Sequence, residues 1–178
     1  EMCIRDSIKA GHLLKVYDLS EEAINFAVQA GAVATKSVKE ASSEVDFVVT
    51  MVPVGSNVRE IFLEDGILAA AAPGTVMIDS STIDVGSAQA VHESAKSAGF
   101  NMIDAPVSGG VTGADAGTLT FMCGGDKDSF EKAKPILQGM GKNIVHCGSG
   151  GLGQATKICN NMLAGINALA AAEAMTMG

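Results

Sequence analysis

Asp46-Phe47-Val48-Val49-Thr50-Met51-Val52, stopped by Pro53, is the stretch that decides the fold. A strand with one wet face alternates apolar and polar residues. This run does not alternate, and it predicts a strand covered on both faces within a parallel sheet. Thr75-Val76-Met77-Ile78-Asp79 repeats the texture downstream, and Asn101-Met102-Ile103-Asp104 and Leu119–Cys123 repeat it again. Upstream, Leu13–Tyr17 is a short strand ending at Asp18; downstream, Asn143–His146 is the last.

Helical segments fall between these strands. Ile8-Lys9-Ala10 ends one helix at Gly11, and Ser20 caps the next, which carries Glu21 and Glu22 in its first turn and stops at Gly31. Val58–Leu63, Asp84 to about Ala98, and Lys127–Leu137 are the others. Strands separated by helices, repeatedly, give an α/β fold: an open, mostly parallel sheet with helices on both faces. After Gly148-Ser149-Gly150-Gly151-Leu152-Gly153 the texture changes, and residues 154–178 read as one long apolar helix. Such a helix needs partners, so it is expected to open a second, all-helical domain. Residues 1–7, EMCIRDS, do not fit this pattern and resemble a translated sequencing-library adapter. The expected organisation is therefore a non-native segment at 1–7, a sheet domain at 8–153, and the start of a helical domain at 154–178.

The net charge is −8, with no run of Lys or Arg, which argues against nucleic acid as a partner. A single phosphodiester cofactor remains compatible, because a helix N-terminus holds phosphate through backbone N–H groups. The 4 cysteines lack metal-ligand spacing and read as reduced thiols in a reducing compartment, expected to be the bacterial cytoplasm or, in a eukaryote, the mitochondrial matrix, with the cytoplasm favoured. The apolar stretch Met162–Gly178 contains Asn167 and Glu173 and consists mostly of small residues, a poor membrane span.

Candidate site residues cluster at strand ends. Asp18 is placed to accept hydrogen bonds from the ribose hydroxyls of a dinucleotide; it would repel a 2′-phosphate and so favours NAD over NADP. The glycine fingerprint that should precede it by roughly 20 residues would fall before Ile8. Met51-Val52-Pro53 with Asn57, and Ser81-Thr82, stand where a cofactor would lie. Each also has a plainer reading, as strand stop or helix cap. Ser108-Gly109-Gly110 offers backbone N–H donors and a hydroxyl suited to a carboxylate. Lys157, Asn160 and Asn161 share one helical face, extended by the small residues Ala164, Gly165 and Ala168. A lysine drawn from water loses preference for its ammonium form and becomes useful for acid–base work, and Asn161 could bond the amine or the substrate hydroxyl.

Taken in order, Lys9–His12, Asp18, Met51–Pro53 with Asn57, Asp79–Thr82, Asp104–Gly110, Gly117–Met122 and Gly153–Asn161 resemble the β-hydroxyacid dehydrogenase family. The resemblance implies a Rossmann-like NAD-binding domain, a helical C-terminal domain, NAD as cofactor, and a homo-oligomer formed through that helical domain. It implies Lys157 as general acid/base with Asn161 as its partner, and Ser108, Gly109, Gly110 and Asn160 around the substrate. Asp18, Met51, Val52, Pro53, Asn57, Ser81 and Thr82 would line the cofactor. The implied reaction is oxidation of 3-hydroxyisobutyrate to methylmalonate semialdehyde, a step of valine breakdown. Reduction of tartronate semialdehyde is the alternative within the family, and a non-catalytic fragment is the alternative outside it. For either enzyme the expected partner is a small hydroxy acid.

Overall fold

The computed structural model describes residues 2–64 and 66–178. In chain order the elements are α1 (Met2–Lys9), β1 (Lys15–Val16), α2 (Glu21–Gln29), β2 (Val33–Ala34), α3 (Val38–Ser42), β3 (Phe47–Thr50) and α4 (Gly55–Arg59). A π-helical turn (Glu60–Glu64), α5 (Ile67–Ala70), β4 (Val76–Asp79), α6 (Val85–Ser97), β5 (Asn101–Asp104), β6 (Val107–Ser108) and α7 (Gly110–Asp115) follow. The chain continues through β7 (Leu119–Gly124), α8 (Lys127–Gln138), β8 (Gly141–Gly148) and α9 (Leu152–Met177).

β3, β4 and β5 pair in parallel, β7 and β8 pair in parallel, and β7 meets β5 and β6 antiparallel. β1 and β2 form a separate two-stranded parallel sheet. Successive strand residues point to opposite faces, and this builds two cores. Val76, Ile78 and Ile103 pack with Phe130, Ala133 and Leu137 of α8 on one face. Met77 and Met102 pack with Val58, Phe62, Ala88 and Val91 on the other. Helices on both faces follow directly from that alternation. Side-chain caps set several helix starts: Ser20, Ser37, Asp84 and Asp126 each accept a bond from a first-turn N–H.

Several expectations need correcting. The run at 46–52 is covered on its second face only at Phe47, which packs against the α8 core: Val49 is 45% exposed and Met51 58%. β4, fully buried, is the strand that fits the doubly covered pattern. The helix expected at 58–63 begins earlier, at Gly55, and passes into the π turn. β2, α3, α5 and β6 are short elements that no periodicity announced. α9 begins at Leu152 rather than at 154.

Candidate active site

Because β3, β4 and β5 are parallel and in register, their carboxyl ends stand side by side. Thr50 lies opposite Asp79, and Asp79 opposite Asp104. Ligands of open parallel sheets bind beyond this edge. The row is buried, with Asp79 1% and Asp104 0% exposed. Asp79 Oδ1 accepts bonds from Thr50 Oγ1 at 2.8 Å, Ser81 Oγ at 2.6 Å and the Ser81 N–H at 3.2 Å. Burial pushes the Asp79 carboxyl above its ordinary range, against the pull of the bonds from Ser81 and Thr50, and the nearby Asp104 carboxylate adds to the rise. Its Oδ2 and the Ser80 hydroxyl have no partner among the described residues.

Ser81 Oγ also accepts the Val52 N–H at 2.9 Å, so two of the predicted cofactor-side residues are joined. Around them Met51, Pro53 and Thr82 are exposed, and Val52 and Asn57 half-buried. Asp18 is exposed just beyond β1, its Oδ1 accepting the Ser20 N–H at 2.8 Å. That bond makes Asp18 part of the turn into α2, yet leaves its second oxygen available to a diol. An exposed carboxylate that can accept from a ribose diol, and strand ends where the Ser80 hydroxyl has no partner among the described residues, are a set of groups that fits a dinucleotide.

The opposite wall is the N-terminal turn of α9. Asp104 Oδ1 accepts the Gly151 N–H at 2.7 Å and bonds His92 Nε2 at 2.9 Å, while Oδ2 accepts the Gln154 N–H at 2.8 Å. A buried carboxylate thus satisfies the orphan N–H groups that every helix start presents, where negative charge is also favoured. Such close approach requires glycine: a Cβ on Gly153 would collide with the Met122 carbonyl and lie 2.7 Å from Asp104 Oδ2. Gln154, 0% exposed, donates from Nε2 to the Ser81 carbonyl at 2.7 Å and accepts the Ile83 N–H at Oε1, 3.1 Å away.

One turn further on, Lys157 is 8% exposed. Removal from water lowers its pKa, and no ion pair among the described residues restores it. Asn160 Nδ2 reaches Ser108 Oγ at 3.4 Å, which joins the Lys157 face to the Ser108-Gly109-Gly110 turn. Both glycines have positive φ, 136° and 60°, a backbone path that side chains resist. Asn161 is exposed; its Oδ1 accepts from Asn160 Nδ2 at 3.5 Å, and no bond joins it to Lys157.

Residues 1–148 match the family described as the NAD binding domain of 6-phosphogluconate dehydrogenase. The chain belongs to that family. It is an α/β, Rossmann-like NAD-binding domain of an oxidoreductase family with a C-terminal helix, as the resemblance implied. It is 47% identical over 172 residues to the NAD-dependent L-serine dehydrogenase of Pseudomonas aeruginosa, covering 96% of this chain and 58% of that protein. Identity to the 3-hydroxyisobutyrate dehydrogenase of the same organism is 44%, with the same coverage of 96% and 58%. The solved structure of the Mycobacterium tuberculosis 3-hydroxyisobutyrate dehydrogenase with L-serine superposes with a TM-score of 0.93 at 44% identity, covering 97% of this chain and 59% of that one. The chain therefore spans a little over half the length of these relatives. No helix among the described residues is long and apolar enough to cross a membrane.

Within this family fold, sequence reasoning passed over Asp104, His92 and Gln154 as individual participants. Gln154 carried a usable signal, since it shares the Lys157 face at i, i+3 spacing. His92 carried none: it comes from α6, and only the fold brings it to Asp104. The glycine cluster 148–153, where the texture of the sequence changes, allows close packing, with Gly150 against the His92 ring and Gly153 against β7.

Proposed function

We propose that the enzyme containing this chain oxidises a small 3-hydroxy acid with NAD, 3-hydroxyisobutyrate to methylmalonate semialdehyde, using Lys157 as general acid/base. The observation that carries this reading is the buried Lys157, without an ion pair among the described residues, on a face that Asn160 links to Ser108. The Ser108-Gly109-Gly110 turn holds the substrate carboxylate, and Asn160 and Asn161 orient the substrate beside the amine. Neutral Lys157 accepts the hydroxyl proton; its desolvation is what makes the neutral form accessible. NAD, when bound, supplies the hydride acceptor. Asp18 holds the ribose diol, and Met51, Val52, Pro53, Asn57, Ser81 and Thr82 line the cofactor.

We assign residues 8–153 to the cofactor domain, 154–178 to the beginning of a helical domain that also mediates homo-oligomerisation, and 1–7 to a non-native segment. The free thiols Cys123, Cys147 and Cys159 favour the cytoplasm. L-Serine is a second candidate substrate, favoured by the relative that bears its name at 47% identity. It too is a 3-hydroxy acid, and would use the same turn and the same amine.

The test is NADH formation by the product of the complete gene with 3-hydroxyisobutyrate, L-serine and glycerate. Preference for 3-hydroxyisobutyrate supports the reading. Preference for L-serine or glycerate moves the substrate and keeps the chemistry, and no turnover with any of them refutes it.

A further inference from the structure

We propose that Gln154 is a positioning residue for Lys157, its carboxamide fixing the amine-bearing turn of α9 against the loop that ends β4. This inference rests on the acid/base role proposed for Lys157. The loop presents one carbonyl, on Ser81, and one N–H, on Ile83, and Gln154 bonds both at 2.7 and 3.1 Å. A side chain in that place must donate and accept at once, which a carboxamide does. A carboxylate would set lone pairs against the Ser81 carbonyl. An apolar chain of equal length would leave both backbone groups unpaired where, at 0% exposure of Gln154, no water replaces them.

The bond continues in both directions. Ser81 Oγ holds the Val52 N–H and bonds Asp79, so the loops ending β3 and β4 move as one body. The Gln154 N–H is fixed by Asp104, so the residue is held at backbone and side chain together. Lys157 follows on the next turn of the same face. The connection Val52–Ser81–Gln154–Lys157 therefore sets the distance between the cofactor edge and the amine through two buried side chains. Hydride and proton transfer need both partners placed together, and a shift of about 1 Å is costly to rate.

The test uses the enzyme expressed from the complete gene, with rates normalised to NADH-binding sites titrated by fluorescence. Gln154→Met is expected to lower kcat per site by about tenfold or more while substrate KM changes within about threefold. It is also expected to move the acidic limb of the kcat/KM pH profile upward, because a loosened turn lets water reach the amine and favours its ammonium form. Gln154→Glu keeps the bond from Ile83 and is expected to fall between Gln154→Met and wild type. If Gln154→Met folds too poorly to assay, Gln154→Glu carries the same two readouts. A role in folding alone would reduce the number of NADH sites and leave kcat per site and the pH limb unchanged, which overturns the inference. Lys157→Ala separates the two levels: turnover in that variant defeats the assignment of Lys157 and this inference with it. An inactive Lys157→Ala beside normal Gln154 variants defeats only the inference.

Discussion

The first turns of α9 and the rest of the same helix invert each other. At the start, Gly153, Gln154 and Lys157 are its buried residues, two of them polar. Beyond them Ile158, Met162, Leu163, Ile166 and Leu169 are 47–62% exposed, and Met175 and Met177 more so. Ordinarily the apolar residues of a helix go inside and the charged ones outside. Here burial follows the anchor rather than hydrophobicity. Asp104, Gly124 and the Ser81–Ile83 loop receive the first turns closely enough to satisfy their polar groups. The apolar remainder meets no partner among the described residues and forms the kind of patch that marks an interaction surface.

Four experiments would break or sharpen this contrast. The largest effect belongs to the buried amine: Lys157→Ala in the complete enzyme is expected to reduce turnover about a thousandfold while sparing NAD affinity. Turnover near wild type would make Lys157 a packed residue and nothing more. Gly153→Ala comes next, since its Cβ has no space between Met122 and Asp104. A loss of about 3 kcal/mol is expected in urea denaturation, and an unchanged midpoint would show that α9 does not dock as closely as described. Asp104→Asn substitutes an NH2 where one of two helix N–H donors needs an acceptor, and is expected to cost about 2 kcal/mol by the same assay. A neutral result would move the anchor from Asp104 to Gln154. Smallest is Ile166→Ala in this chain, expected within about 0.5 kcal/mol because that side chain is 58% exposed. A cost above about 2 kcal/mol would mean that the apolar face is covered in solution, by a second copy of the chain or by its own fold.

Much of the sheet was legible because strand residues announce themselves locally. Val76–Asp79 and Asn101–Asp104 are strands at almost the expected bounds, and Asp84 and Ser20 cap the expected helices. The two-residue strands β1, β2 and β6 lie at or below what periodicity can register, and β2 and β6 escaped notice. Cover was the other blind spot. Val48 and Val49 read alike in sequence, yet one is 9% exposed and the other 45%: Val48 joins the core of Val58, Phe62 and Val91, while on the opposite face Phe47 packs against the α8 core and Val49 does not.

By itself the sequence determined the alternation of strands and helices and the face that carries Lys157, Asn160 and Asn161, since both depend on near-neighbour spacing; the family was legible in it through the resemblance of its ordered motifs. Tertiary structure alone decided that Asp104 caps α9 through Gly151 and Gln154, that His92 joins it, and that Gln154 bonds Ser81 and Ile83. The partners in those bonds stand 12 to 73 residues apart. A carboxylate or carboxamide in sequence looks the same whether it ends in water or in a buried bond, and only the parallel register that brings Thr50, Asp79 and Asp104 into one row determines which.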